Sequence, residues 1–359
     1  MCAKPKYGAV DHTIPSRSCD MNITVIGAGA WGTALATSLA SGHQVTLWAR
    51  DAAQIEAMRA TRYNQHYLPD ILLSDKLKLS SDFPAAMAAA ELAIIAVPTA
   101  GLRPVLQQLV QLSRRPFDKL RTGFNVVWLC KGFEAKTAKL PHQVAAEVLP
   151  EGYKYGVLSG PSFAQEVARG FPTALTLASA DEEFARSTAQ ALHHAYLRIY
   201  ASSDMVGVEV GGAVKNVMAI AAGICDGMGL GLNARAALLT RGLAEITRLG
   251  LKLGARSETM SGLSGVGDLI LTCTGDLSRN RQVGLLLVQR HDLPDILRRL
   301  GHVAEGVYTV REVHHLAHRL GVAMPICEAV YRIIYEHIPP AEMVTTLLNR
   351  APNLELDGV

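Results

Sequence analysis

Two hydrophobic rhythms divide the chain. Short apolar runs come first: NITVIGA (22–28), QVTLWA (44–49), LAIIAVP (92–98), NVVWLCKG (125–132) and KYGVLSG (154–160). They read as strands, and several are apolar throughout, as parallel strands covered on both faces are. TALTLAS (173–179) and LRIYAS (197–202) read as two more. Helical spacing over 30–41, 51–60, 101–113 and 137–148 fills the gaps between them. Alternating strand and helix predicts an α/β domain with a doubly wound parallel sheet. After Ser203 the rhythm changes. Long helical patterns cover 204–229 and 233–254, and shorter ones follow near 278–290, 292–300, 305–319, 325–337 and 340–349. The expectation is a sheet domain over 21–203 followed by an all-α domain over 204–359, with no internal repeat.

Two stretches stand outside this plan. MCAKPKYGAVDHTIPSRSCD (1–20) is polar, holds two prolines and precedes Met21. It lacks the apolar segment of a signal peptide, so it reads as a loosely attached extension, or as a leader before a true start at Met21. SRRPFDKLRTGFN (113–125) is longer than most helix-to-strand loops. It reads as a basic surface insertion.

The first strand runs into G-x-G-x-x-G, formed by Gly27, Gly29 and Gly32. Alone that pattern is weak, but here it follows a strand and opens a helix. Gly27 then makes the turn, Gly29 lets a pyrophosphate approach, and Gly32 lets the helix pack on the strand. The helix N-terminus offers free N–H groups to the phosphates. A glycine turn with no ligand is the competing reading. Arg50 follows the second strand, where an acidic residue would bind the ribose 2′-hydroxyl of NAD. A guanidinium there suits a 2′-phosphate and favours NADP, while the neighbouring Asp51 keeps NAD open.

Other chemistry lies at strand ends, where ligands of this architecture bind. Lys131 in CKGFE is an anion contact or an ordinary surface lysine. Ser162 in SGPSFAQEVARG caps a following helix, touches a ligand, or both. In the helical half, Lys215 sits inside the apolar GGAVKNVMAIAAG. Its neighbours Gly211, Ala219 and Ala222 are small and leave an open face around the ammonium. A buried lysine is paired or has a depressed pKa, and both favour chemistry; a lysine snorkelling to solvent is the bland alternative. Gly265 and Gly267 make a turn around Asp268. Ser278 caps a helix beginning Arg279–Asn280, a candidate phosphate site. Glu305 stands at another helix start.

Composition narrows the class. Apolar residues are 49%, charged residues 19%, and the net charge is +3. That describes a folded globular chain and gives no reason to invoke nucleic acid or an anionic membrane. No uninterrupted apolar run approaches the roughly 20 residues of a membrane helix. The six cysteines, Cys2, Cys19, Cys130, Cys225, Cys273 and Cys327, form no C-x-x-C pair, and none sits at metal-ligand spacing from a histidine. They read as reduced thiols in a cytoplasmic protein, and no metal is expected.

Taken together, the motifs resemble the soluble, bacterial-type NAD(P)-dependent sn-glycerol-3-phosphate dehydrogenases. GAGAWGTALA, AVPT, KGFE, SGPSFAQEVARG, GGAVKNVMAIAAGICDGMGLGLNARAALLTRGLAEI, GVGDLILTCT, SRNR and AEGVYT occur in family order over roughly 21–350. The resemblance implies a Rossmann domain, a helical substrate domain, a homodimer, and reversible reduction of dihydroxyacetone phosphate for phospholipid synthesis. It implies Lys215 as proton donor and acceptor, with Lys131 shared by substrate and cofactor; a second ammonium beside Lys215 is then expected to lower its pKa, because like charges disfavour the charged form. Gly160, Ser162, Asp268, Ser278, Arg279 and Asn280 fall on substrate positions. Ala30, Trp31, Arg50, Ala164, Val303 and Glu305 fall on cofactor positions, with Arg279 near both. SRNR and GVGDLILTCT favour this family over the 6-phosphogluconate and hydroxyisobutyrate dehydrogenases. A regulatory module that only binds NAD(P) would have no use for Lys215 plus a separate anion site.

Overall fold

A computed structural model describes residues 20–113, 124–301 and 304–350. The extension at 1–19, most of the 113–125 loop and Val303 fall outside the described residues. Among the described residues there are ten strands: β1 (Asn22–Ile26), β2 (Gln44–Trp48), β3 (Tyr63–Asn64), β4 (Leu68–Leu72), β5 (Lys78–Ser80), β6 (Leu92–Ile95), β7 (Asn125–Trp128), β8 (Tyr155–Ser159), β9 (Thr173–Ala178) and β10 (Leu197–Ser202). Eight make one sheet in the order β10-β9-β8-β7-β6-β1-β2-β5. β3 and β4 form a separate antiparallel ribbon.

β1 lies between β2 and β6. The chain winds outward from β1 through β2 to β5, then returns to β6 on the other side. That reversal leaves a crevice at the carboxyl ends of β1 and β6, where open α/β sheets take their ligands. The central strands are sealed on both faces, with Val25, Ile26, Ile94, Ile95, Val127 and Trp128 fully buried. Burying each such side chain is worth about 1.5–3 kcal/mol.

The sheet is parallel except at one junction, where β9 runs antiparallel to β8. A parallel connection must cross the sheet and come back, usually through a substantial helix. Between β8 and β9 the only helix is the five-residue Ala164–Ala168, so the chain doubles back. β10 alternates buried and exposed positions along most of its length, as befits a strand with one wet face. Sequence periodicity missed β3, β4 and β5. None is an apolar run or a clean alternation: β3 is two residues long, β4 carries Pro69 and Asp70, and β5 has one buried position.

Beyond Ser202 all described regular structure is helical. Helix Met205–Gly227 is its axis, and Gly231–Lys252, Asp268–Thr274, Arg279–Val288 and Glu305–Leu320 pack around it. By length and hydropathy this 23-residue helix would pass for a membrane span, but 94% of its apolar window is buried within the fold. Asp204 caps its start, accepting from Gly207 N at 2.8 Å, Arg256 N at 2.9 Å and the Thr259 hydroxyl at 2.6 Å. The small residues on this helix do not leave an open face. A Cβ on Gly211 would lie 2.5 Å from Ser264 O, and Ala219 and Ala222 are fully buried. They draw neighbouring backbone close. Cys130, Cys225, Cys273 and Cys327 are buried free thiols.

Candidate active site

The glycine turn has the geometry a dinucleotide needs. Gly27 sits at φ +118°, and a Cβ there would lie 2.5 Å from Ala96 O at the end of β6. A Cβ on Gly32 would lie 2.0 Å from Gly27 O, so only glycine lets the helix sit this close to the strand. Gly29 is different: nothing lies within 4 Å of its missing Cβ. It faces open space and N-caps helix Ala30–Leu39 without any side-chain acceptor. The N–H groups of Ala30 and Trp31 head an uncapped helix, which fits a pyrophosphate. Trp31 and Ala164 pack beside the small cluster of Ala34, Leu68, Ile71 and Val167.

Arg50 lies two residues past β2, exposed and without a hydrogen bond or ion pair among the described residues. Asp51 is committed elsewhere. It caps helix Ala52–Thr61, accepting from Ala53 N at 2.9 Å and Gln54 N at 3.2 Å.

Lys215 meets the sheet through one carboxylate. Its ammonium donates to Asp268 Oδ1 at 2.5 Å and to the Thr272 hydroxyl at 2.8 Å. Lys131 donates to the other oxygen, Asp268 Oδ2, at 2.7 Å, and to Gly160 O at 3.2 Å. Asp268 is therefore a two-lysine clamp between the end of β7 and the helices. It heads helix Asp268–Thr274, set there by a turn whose Gly265 adopts the non-helical φ −95°, ψ −105°. Burial pushes the Lys215 pKa down to about 8; the attraction of Asp268 opposes this and the Lys131 charge adds to it. Desolvation, rather than the expected like charge of Lys131, is the larger cause.

Ser162 does not cap the helix that follows it. Phe163 holds that position, and the Ser162 hydroxyl donates back to Gly160 O at 2.9 Å. Gly160 O thus accepts from both Ser162 and Lys131. Ser278 does cap its helix, accepting from Arg281 N at 3.3 Å. Asn280 is held on both sides: it donates to Asn216 Oδ1 at 3.0 Å and accepts from Gly306 N at 3.0 Å. Arg279 between them is exposed and makes no hydrogen bond or ion pair among the described residues. Surrounding protein lowers its pKa, opposed by attraction to Glu305. Glu305 accepts from Thr99 N at 3.3 Å, so it joins the start of helix Thr99–Ser113, which follows β6, to the helical half. Burial raises its pKa.

The sequence reading missed one contributor, Thr272, whose hydroxyl accepts from Lys215. Thr272 follows Asp268 by one helical turn, a spacing that marks a shared face.

A glycine turn at the switch point of a mostly parallel sheet, with two lysines on one buried carboxylate where that edge meets a helical domain, defines an NAD(P)-dependent dehydrogenase architecture. Family models described as the N-terminus and C-terminus of NAD-dependent glycerol-3-phosphate dehydrogenase match residues 22–185 and 204–345. The chain is 61% identical over 330 residues to the NAD(P)+ glycerol-3-phosphate dehydrogenase of Thiobacillus denitrificans, covering 92% of this chain and 98% of that one. It is 56% identical over 336 residues to that of Dechloromonas aromatica, covering 94% and 100%. A crystal structure of glycerol-3-phosphate dehydrogenase from Coxiella burnetii superposes with a TM-score of 0.86 at 39% identity, covering 92% and 99%. The chain belongs to the NAD(P)-dependent glycerol-3-phosphate dehydrogenases.

Proposed function

We propose that the chain interconverts dihydroxyacetone phosphate and sn-glycerol 3-phosphate in the cytoplasm, working towards glycerol phosphate for phospholipid synthesis. The observation that carries this is the Lys215–Asp268–Lys131 clamp, with the unpaired Arg279 at the start of a neighbouring helix. The sheet domain over 21–203 holds the dinucleotide, and the helical domain from 204 onward holds the substrate and the proton-transfer group.

NAD(P)H bound at Gly27–Gly32 supplies the hydride. The chain supplies the rest. The Arg279 guanidinium, with the helix N-terminus beneath it, binds the substrate phosphate. Ser278 and Asn280 hold that helix start in place. Lys215 donates its proton to the C2 oxygen as that oxygen gains negative charge, and recovers it in the reverse direction. A pKa of about 8 suits a group that must give and take a proton near neutrality. Asp268 orients Lys215, while Lys131 adds positive charge beside the oxygen. Arg50 recognises a 2′-phosphate, because Asp51 is spent on its cap, and so favours NADP. Ala30, Trp31, Ala164, Val303 and Glu305 complete the cofactor side. The enzyme works as a homodimer; exposed Leu230, Leu232 and Leu348 are apolar surface available for one.

Initial rates with dihydroxyacetone phosphate and NADPH or NADH test the reading. Turnover, faster at low concentration with NADPH, supports it. Tight dinucleotide binding without turnover on dihydroxyacetone phosphate overturns it.

A further inference from the structure

Far along helix Glu305–Leu320 lies a group of side chains that the dehydrogenase chemistry does not use. His314 and His318 are four residues apart, hence on one helical face. Glu328 of helix Pro325–Tyr335 meets both. His314 Nδ1 is 2.6 Å and His318 Nε2 3.3 Å from the same oxygen, Glu328 Oε2. One candidate donor atom from each of the three lies within 4.8 Å of the others. The His314 ring is stacked flat on Tyr331, with 3.7 Å between centroids and planes 1° apart, so its direction is set before any ligand arrives. A cavity of about 310 Å³ borders the group, lined also by Met324, Cys327 and Arg350. His314 is nine residues beyond Glu305, roughly 14 Å down the helix axis.

We propose that His314, His318 and Glu328 bind one divalent transition-metal cation of the zinc class. Two imidazole nitrogens and a carboxylate oxygen are a zinc donor set. Bonds of about 2.0–2.2 Å at tetrahedral angles put neighbouring donors roughly 3.3–3.5 Å apart. The His318–Glu328 separation of 3.3 Å already matches. The His314–Glu328 hydrogen bond opens by less than about 1 Å when an ion replaces its proton. The cavity admits water to a fourth position. An all-oxygen cation such as magnesium gains little from two imidazoles, so the site selects against it. The bound ion ties helix Glu305–Leu320 to helix Pro325–Tyr335 and stabilises the folded chain by mass action.

The test uses the full chain, stripped with chelator and desalted. Titration calorimetry with zinc chloride is expected to show one equivalent bound, and calorimetric melting a zinc-dependent rise in Tm that magnesium chloride does not reproduce. His318→Ala and Glu328→Gln should each weaken zinc binding at least tenfold and remove the rise. His314→Ala is avoided because it also strips the Tyr331 stack. Cobalt(II) adds a readout independent of stability: the wild type should give the intense visible bands of a tetrahedral site, and both variants should lose them. No stoichiometric zinc binding, no such bands in the wild type, or unchanged affinity in both variants would overturn the proposal.

Discussion

Lys215 and Asp268, 53 positions apart in the chain, are joined by a buried 2.5 Å hydrogen bond. The lysine is therefore both desolvated and aimed. Lys215→Ala is expected to lower kcat by about 10²–10⁴-fold, the usual contribution of a positioned acid–base group. Dinucleotide affinity, measured by fluorescence titration, should stay within about twofold. Near-normal turnover would remove Lys215 from the chemistry.

The same burial sets a pH dependence. The Lys215 pKa falls from 10.5 to about 8. Reduction needs the ammonium, so kcat/KM for dihydroxyacetone phosphate should be level below pH about 8 and fall about tenfold per unit above it. Oxidation needs the neutral amine, so its profile should rise towards pH 8 and level off. A limb near 10.5 in both directions would show that Lys215 is not the titrating group.

Arg279 has no protein partner to lose among the described residues. Charge-assisted hydrogen bonds are worth about 1.5–3 kcal/mol, roughly 10–100-fold in affinity. Arg279→Ala should raise KM for dihydroxyacetone phosphate by about that factor and leave the melting temperature close to the wild type's. An unchanged substrate KM, measured at saturating dinucleotide, would refute the phosphate role.

Arg50 and Asp51 are adjacent but separable. Arg50→Asp should lower the NADPH-to-NADH ratio of kcat/KM with little effect on stability. Asp51→Ala removes a helix cap and should cost about 0.5–2 kcal/mol in denaturant unfolding, leaving the ratio unaltered. The opposite pattern would reverse the two assignments.

Gly223 governs how closely helix Arg279–Val288 docks. A Cβ there would lie 2.0 Å from Arg281 O. Gly223→Ala should destabilise by about 1–3 kcal/mol or more and raise the substrate KM, because the helix carrying Arg279 must move. Urea unfolding together with steady-state kinetics would check both effects.

The long elements were legible because each carries a full period of its own pattern. Strands such as LAIIAVP are apolar on both faces, and the helices after Ser203 repeat at helical spacing. The glycine turn was legible for a related reason: its function depends on consecutive backbone positions. Of the two readings of Ser162 the cap alone fails, because a serine before a helix looks like a cap whether or not its hydroxyl turns back to Gly160. The small neighbours of Lys215 were misread too, because absence of a side chain signals open space and close packing equally.

Local order thus reached from residues to elements and to the kinds of chemistry on offer: a lysine in an apolar helix, an arginine at a capped helix start, an arginine after the second strand. Three-dimensional packing decided the partnerships. It brought Lys131 and Lys215 onto one carboxylate, committed Asp51 to a cap, and turned β9 against β8. The reason is physical. Periodicity and turn chemistry act between neighbours a few residues apart. A buried charge finds its counter-charge only where distant segments meet, and the cost of leaving it unpaired makes that meeting specific.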